Sequence, residues 1–440
     1  MERALIWGIV VLFIASRVGF ALFGLAPNPD WLFNHLQNAD IGLLTENPLQ
    51  TVWFMHSQPP LWNLILGGAA ALTGGAPGAT STLVLLLHMA VSLGAILLIN
   101  ATLARLGVAL VLRVLAGLAQ IVMPWTLFFE NYVFYQHATY GLLTLFVWAW
   151  LAFLQDGRAR QAWVAFAAFA LLSWFWSVFH PIMLVLLLAG LILAGRGIRW
   201  ARLALPAITA LGLAILPSVK NAYVFDNPSS SSWLGLNLMK TVTWTSKDAL
   251  QGCTFQEAWV NSETAPDNPD LPDLAILTAP QKATGHPNGH HQSVIAYSNR
   301  CMDVAVDLIV ENPVAYVKGR AWQAFRAYST PSYIYGWAPL SWDRMTVFTA
   351  PYDTSRSPIK FVGVAYFLGL WAAMVWLALR GGPNQAFFLS CFIIAGTFTG
   401  VTLLLNGVEQ HRMRYSISQI QLIVAVVVLQ GLFGRIGRAG

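Results

Sequence analysis

Charge is what this 440-residue chain has least of. Only 10% of its residues are Asp, Glu, Lys or Arg, and 57% are hydrophobic. A soluble domain carries about 25% charged residues, so a soluble globular chain is excluded and a polytopic membrane protein remains. The net charge of +6 then reads as the Lys/Arg excess of cytoplasmic loops, and no nucleic-acid partner is expected. Cysteine is scarce as well, with three in the chain. Cys391 lies in an apolar run and reads as packing. Cys253 and Cys301 share one long polar segment, where a disulfide is plausible if that segment lies outside the cytoplasm; geometry has to decide it. Familiar cofactor and metal signatures are missing: there is no P-loop, no GxGxxG and no HExxH. His286, His290 and His291 stand in a Gly/Pro/Asn loop without a Cys or carboxylate at ligand spacing, so no metal is expected. Ser229 to Ser232 lack the surroundings of a nucleophile elbow. No internal repeat supports an inverted-repeat transporter. No cleavable signal peptide is evident, because the first apolar run is too long for an h-region; it reads as a retained helix.

What is present is a series of apolar runs near the ~20-residue length of a membrane span. They fall at 3–25, 80–104, 107–127, 137–155, 179–196, 201–224, 358–380, 385–405 and 413–434, with a shorter one at 160–177. The expected class is therefore an all-α polytopic membrane protein with about ten spans. The run 61–73 is too short to span and reads as a helix that dips into the membrane. Arg105, Arg158, Arg160, Arg196, Arg199, Arg202, Arg380, Arg435 and Arg438 then fall on one side, which the positive-inside rule makes cytoplasmic. Polar material collects on the other side: the first outer loop (26–60), Phe128 to Gln136, the turn at His180, Lys220 to Lys360, and Asn406 to Arg414. Three units follow: an N-terminal membrane module over 1–224, an extracytoplasmic segment over 225–357, and C-terminal helices over 358–440. Within the segment, 293–328 reads as helical with a break at Asn312-Pro313.

The candidate site residues lie on that polar side. Asp30 and Asp40 are in the first outer loop. An acid among Trp31, Phe33 and Trp53 suits general-base work, because apolar surroundings make a carboxylate more basic. Each acid also suits a helix cap. His56 and Gln58 precede Pro59-Pro60, which opens the dipping helix, and a helix N-terminus suits a phosphate or carboxylate. Glu130, between aromatics that include Tyr132 and Tyr135, is an acid at membrane depth and a functional candidate on that ground. Lys220-Asn221 closes a span on the outer side against the charge rule; it reads as a phosphate ligand or as a snorkelling lysine. Glu409, Arg412 and Arg414 open the last span, where two arginines suit an anionic partner. His180 stands at an outer turn.

Taken in order, these features resemble the GT-C glycosyltransferases, in particular the protein O-mannosyltransferase and lipid A aminoarabinose-transferase group. The features are an N-terminal helix, an outer loop with an early acid, and His56-Ser57-Gln58-Pro59-Pro60-Leu61 opening a dipping helix. They continue with Pro124 and Glu130 in the second outer loop, a long outer segment, and Glu409-Gln-His-Arg-Met-Arg-Tyr415 before the final span. The resemblance covers about the first 220 and the last 80 residues. It departs from the family where Asp30 is followed by Trp31 instead of a second acid, and where Ser57-Gln58 interrupts the His-Pro-Pro motif. Segment 225–357 matches nothing in the pattern. The resemblance implies GT-C architecture with juxtamembrane helices in the first outer loop. It also implies inverting transfer of a sugar from a polyprenyl-phosphate donor to a glycan, lipid or protein acceptor, with membrane lipids around it and no cofactor or metal. Asp30 or Asp40 would be the base, and Lys220, Arg412, Arg414 and His56 would face the leaving phosphate. The expected place is the inner (plasma) membrane of a bacterium, with the site facing the periplasm or exterior. A polyprenyl-lipid carrier, a flippase or a glycolipid-binding scaffold without chemistry is the alternative. A carrier would bury its ionisable groups along a mid-membrane path.

Overall fold

The computed structural model describes residues 2–194, 198–242, 252–253, 270–329, 359–406 and 410–436. Among them the regular structure is helical, with no strand. The membrane frame begins with α1 (Glu2–Leu22). Four short helices follow, three in the 26–60 loop and one apolar helix after it: α2 (Pro29–Asn34), α3 (Ile41–Glu46), α4 (Pro48–Trp53) and α5 (Leu61–Leu72). Next come α6 (Pro77–Arg105), α7 (Leu110–Val122), α8 (Pro124–Asn131), α9 (Tyr135–Asp156), α10 (Ala159–Phe175), α11 (Ile182–Leu193) and α12 (Trp200–Phe225). The polar segment contributes α13 (Leu234–Met239), α14 (Ala275–Thr278), α15 (Ser293–Glu311) and α16 (Pro313–Ser329). The chain ends in α17 (Ile359–Leu379), α18 (Gln385–Leu405), α19 (Gln410–Tyr415) and α20 (Ser418–Ile436).

Six of these helices are long and apolar enough to cross a bilayer, and the pair α7–α8, bent by 47°, would make a seventh. Pro124 causes the bend, since it cannot donate to the helix ladder and starts α8 afresh. Three further expected spans correspond to the shorter apolar helices α10, α11 and α20. Many side chains on the long helices are large, apolar and exposed, among them Trp7, Leu205 and Phe361. Lipid contact is the physical reason such faces stay apolar.

The two ends of the bundle differ in chemistry. At one end Arg105 pairs with Asp156 at 3.1 Å, and Arg113 grips Glu2 with both terminal nitrogens at 2.7 Å. Arg199 and Arg202 donate to the carbonyls of Asp156 and Gly157, and Gln155 reaches Asn384. The ends of α1, α6, α7, α9, α12 and α18 that the arginine pattern assigned to one face thus meet there. The other end carries the first outer loop, α13, α15 and α19. The expected helix over 293–328 is found as α15 and α16, broken at Asn312, because Pro313 cannot continue a helix but suits the first position of the next.

A second, smaller core lies outside the main bundle, built from Trp233, Leu236, Met239, Val242, Val294, Tyr297, Cys301 and Ala305. Here α13 packs so closely on α15 that a Cβ at Gly235 would stand 1.8 Å from the Ser298 carbonyl oxygen, so only glycine fits. Cys253 and Cys301 are joined by a disulfide at a Cα separation of 5.4 Å, within the normal span of such a bridge. Cys391 is buried and free.

Candidate active site

The polar segment closes over the first outer loop through a stitched interface. Asn28 caps α2 by accepting from the Asp30 N–H at 2.9 Å, and Pro29 pre-sets the first helical φ. Helix α5 anchors the stretch that follows α2. Trp62 donates to the Asn38 side chain at 3.0 Å, and Asn63 accepts from the Ala39 N–H at 2.7 Å. From the other side, Lys282 Nζ donates to the carbonyls of His35 (2.6 Å) and Phe33 (3.2 Å). Burial of this amine pushes its pKa down to about 7, against the pull of Asp40. Gly289 passes so close to Leu36 that a Cβ there would meet the Leu36 carbonyl oxygen at 2.3 Å. That close approach seats His290 between Ser57 (2.9 Å) and the Gln37 carbonyl (3.2 Å).

Two neutral histidines complete the seam. The His290 carbonyl can only accept, so His56 Nε2 donates to it at 2.8 Å, and His56 Nδ1 accepts from the Ser232 hydroxyl at 2.7 Å. By the same logic His290 Nε2–H donates to the Gln37 carbonyl and its Nδ1 accepts from Ser57. Burial holds His56 down to about 3 and His290 well below the usual histidine range. Ser231 donates to the Ser57 carbonyl at 2.6 Å. The serine run and the Gly/His loop are therefore fasteners, and no group of three metal-capable side chains occurs among the described residues.

Beneath this seam lies a cavity of about 1050 Å³. Its walls come from α2, the 176–182 turn, the 227–240 stretch, α15, the outer end of α18 and α19. Of the expected residues, Asp30, Gln58, Tyr135, His180 and Arg412 line it. Asp30 is the single carboxylate among the lining residues, it is exposed, and its side chain has no partner among the described residues. Arg412 and Lys240 bring positive charge to the same space, together with Trp31, Trp176, Trp233 and a run of amides and hydroxyls. Arg412 stands over Phe134 and 3.5 Å from the Tyr132 hydroxyl. His35 also lines the cavity. Its Nδ1 accepts from the Gln37 N–H, and burial with Arg412 and Lys282 nearby keeps it neutral, well below the usual range. Val133, a β-branched residue at φ 44°, makes the turn from α8 into α9 that delivers Tyr135 to the wall.

The other expected residues stand elsewhere, each for a physical reason. Asp40 caps α3, accepting from the N–H groups of Gly42 (2.8 Å) and Ala283 (2.6 Å), and does not line the cavity. His56 has both ring nitrogens committed in the seam. Lys220 donates to the Met55 carbonyl, and Asn221 donates to the Ser229 carbonyl at 2.7 Å, so this pair holds loops. Tyr132 stands behind the wall, stacked on Phe128 and packed at a tilt against Trp31. Arg414 is buried over the rings of Tyr328 and Phe367. Glu130 is sealed inside the bundle, where Arg17 of α1 grips it with two nitrogens. Glu409 lies outside the described residues. Arg17 carries no motif, and its one signal is that a cation in the middle of an apolar run implies a buried partner. Asn34, His35 and Lys240 also line the cavity, and none of them carries a motif of its own.

No family model and no curated protein matches the chain. Two solved structures of archaeal oligosaccharyltransferase from Archaeoglobus fulgidus are similar to it. The crystal structure tethered with an acceptor peptide gives a TM-score of 0.49 at 11% identity, over 98% of this chain and 50% of that one. The structure of AglB in complex with an inhibitory peptide and a dolichol-phosphate gives 0.47 at 11% identity, over 99% and 52%. This chain spans about half the length of those proteins, and a likeness at this level decides nothing about what it does.

Proposed function

We propose that this protein is a membrane glycosyltransferase of GT-C type. It moves a sugar from a polyprenyl-phosphate donor to an acceptor hydroxyl or amine at the end of the bundle opposite the arginine-rich face. The observation that carries the reading is the cavity itself. It holds one unpartnered carboxylate, Asp30, beside cations, indoles and amides, at the level where the long helices end. An unpaired acid open to a substrate space can take the acceptor proton as the new bond forms at the anomeric carbon. Arg412 supplies positive charge for the phosphate that leaves with the lipid, where preplaced charge is worth most. A single displacement of this kind inverts the anomeric centre. The disulfide fits an oxidising compartment, which supports a reading in which the cavity end faces the outside or periplasm. The donor already carries an activated phosphoester, so the residues on hand suffice for bond transfer.

The test is transfer of radiolabelled sugar from a panel of polyprenyl-phosphate sugars by purified protein in lipid extract, beside Asp30→Asn, Asp40→Asn and Glu130→Gln. Turnover should fall about 10²–10⁴-fold in Asp30→Asn with donor affinity unchanged. The other two variants should keep turnover in their folded fraction. Equal lipid binding by all four proteins with no transfer by any of them would replace the enzyme with a carrier or scaffold.

A further inference from the structure

Helix α16 carries its polarity inside out. Its inward face holds Tyr316 and Arg320. The Tyr316 hydroxyl donates to the Leu404 carbonyl of α18 at 2.7 Å, and Arg320 donates to the Thr241 carbonyl at 2.8 Å. The outward face holds Val314, Val317 and Trp322, which are 64%, 63% and 58% exposed, with Lys318 and Ala321 exposed among them. Spacings of three and four place these residues on one side of a helix. A helix that packs on a protein in water turns its apolar stripe inward and its polar side out, which is the reverse of what α16 does. The preceding helix differs in charge. The exposed side of α15 carries Asp303, Asp307 and Glu311, whereas α16 contains no acid, and its charged residues are Lys318, Arg320 and Arg326.

The contacts of α16 also give its depth. Helix α18 runs from the arginine-rich end, where Gln155 reaches Asn384, to the cavity, which Leu405 and Asn406 line. Tyr316 meets α18 at Leu404, and the Tyr328 hydroxyl reaches Thr399 at 3.4 Å. Those two positions on α18 are about 7.5 Å apart along its axis. Tyr328 also packs edge-on against Phe367 of α17 at 5.0 Å, about 12 Å from the start of that helix. So α16 begins level with the end of a spanning helix and slopes down beside it, toward the depth where α17 leaves Phe361, Val362 and Leu368 exposed. Helices that lie in a membrane surface bury an apolar face about 5–10 Å into the boundary between head groups and chains, with Lys or Arg beside it. Lys318 stands near the shallow end, level with lipid phosphates, and the long stem of Arg326 lets its charge reach up toward them. We propose that α16 is an interfacial helix that seats Val314, Val317 and Trp322 in the lipid leaflet on the cavity side. It follows directly from α15, which lines the cavity through Ser298, Asn299 and Met302, and Arg320 holds the residue after Lys240, another lining residue. The seated helix therefore ties the polar cover of the cavity to the bilayer.

The test uses the full chain in phospholipid vesicles, with the buried Cys391 changed by Cys391→Ala so that an added cysteine is the one free thiol. A nitroxide is attached in turn to Val314→Cys, Val317→Cys, Trp322→Cys and, as the reference in water, Asp307→Cys. Each change replaces an exposed side chain, and an unchanged midpoint of unfolding in SDS shows that the labelled protein is folded. Relaxation of the label by oxygen, which concentrates in lipid, is compared with relaxation by a water-soluble nickel chelate. The oxygen-to-nickel ratio should be several-fold higher at Val317 and Trp322 than at Asp307, and it should rise from Val314 to Trp322 as the helix descends. Equal ratios at all four positions would place this face in water and overturn the proposal. Spin–spin broadening at Val317 or Trp322 without the rise in ratio would give the face to a second copy of the chain and overturn it as well. The outcome does not depend on whether the protein transfers a sugar.

Discussion

Removing Arg17 should destabilise the bundle far more than removing both members of its ion pair. Glu130 is fully buried and Arg17 is 5% exposed. Arg17 Nε donates to Glu130 Oε2 at 2.9 Å and Nη2 donates to Oε1, while Nη1 reaches the Ile121 carbonyl at 2.6 Å and Ser16 at 2.9 Å. The guanidinium also lies 4.1 Å from the Phe13 ring centre. Arg17→Met leaves a carboxylate without its counter-charge in a dry interior, which costs about 3–5 kcal/mol. Glu130→Leu leaves the Arg17 guanidinium without its counter-charge in the same interior, with only its carbonyl, hydroxyl and ring contacts, so about 3–5 kcal/mol is again expected. In Arg17→Met/Glu130→Leu no charge remains to desolvate, and stability should return to within about 1 kcal/mol of the wild type, since apolar replacement of a buried pair is often neutral or better. The coupling between the two sites should then be about 3 kcal/mol or more. Unfolding by SDS titration in mixed micelles, followed by tryptophan fluorescence, measures all four proteins. Two weak and additive single effects would refute the reasoning and return Glu130 to the list of residues free for chemistry.

Two further outcomes follow from the seam and its neighbour. His56 is held neutral with a pKa near 3, below its unfolded value, so the unfolded chain takes the proton first as the pH falls. Its contribution is therefore complete above about pH 6.5 and drains away toward pH 3, amounting to about 2 kcal/mol by pH 5. The acid slope of the unfolding midpoint should flatten in His56→Gln, and an unchanged slope would show that this ring carries none of it. Reducing the Cys253–Cys301 bridge, which closes a separation of 48 residues, should cost up to about 4 kcal/mol by the loop-entropy relation. Proteolysis with and without reductant reads this directly, and equal rates would mean that the bridge constrains nothing.

How much was legible in the sequence can be seen residue by residue. The helix break at Pro313 could be read because it depends only on the local covalent chemistry of proline. The gathering of arginines at one end could be read because charge asymmetry across a membrane is a property of composition and order along the chain. Asp30 and Asp40 could not be separated in the same way. Both lie in one polar loop, and the N–H of Ala283, far along the chain, occupies the Asp40 carboxylate oxygen that its local cap bond to Gly42 leaves over. Tyr132 and Tyr135 are likewise close in sequence, yet the turn at Val133 puts one behind the wall and the other on it.

The sequence by itself determined that this is a helical membrane protein, where its long apolar helices run, and that its two ends differ in charge. Those properties rest on hydrophobicity and on interactions between residues a few positions apart. Only the tertiary structure decided which polar residues became fasteners and which were left open to a ligand. Arg17 and Glu130 are 113 positions apart, His56 and His290 are 234 apart, and both contacts are buried. A buried polar group has to find its partner wherever the fold brings one, and spacing along the chain does not specify that choice.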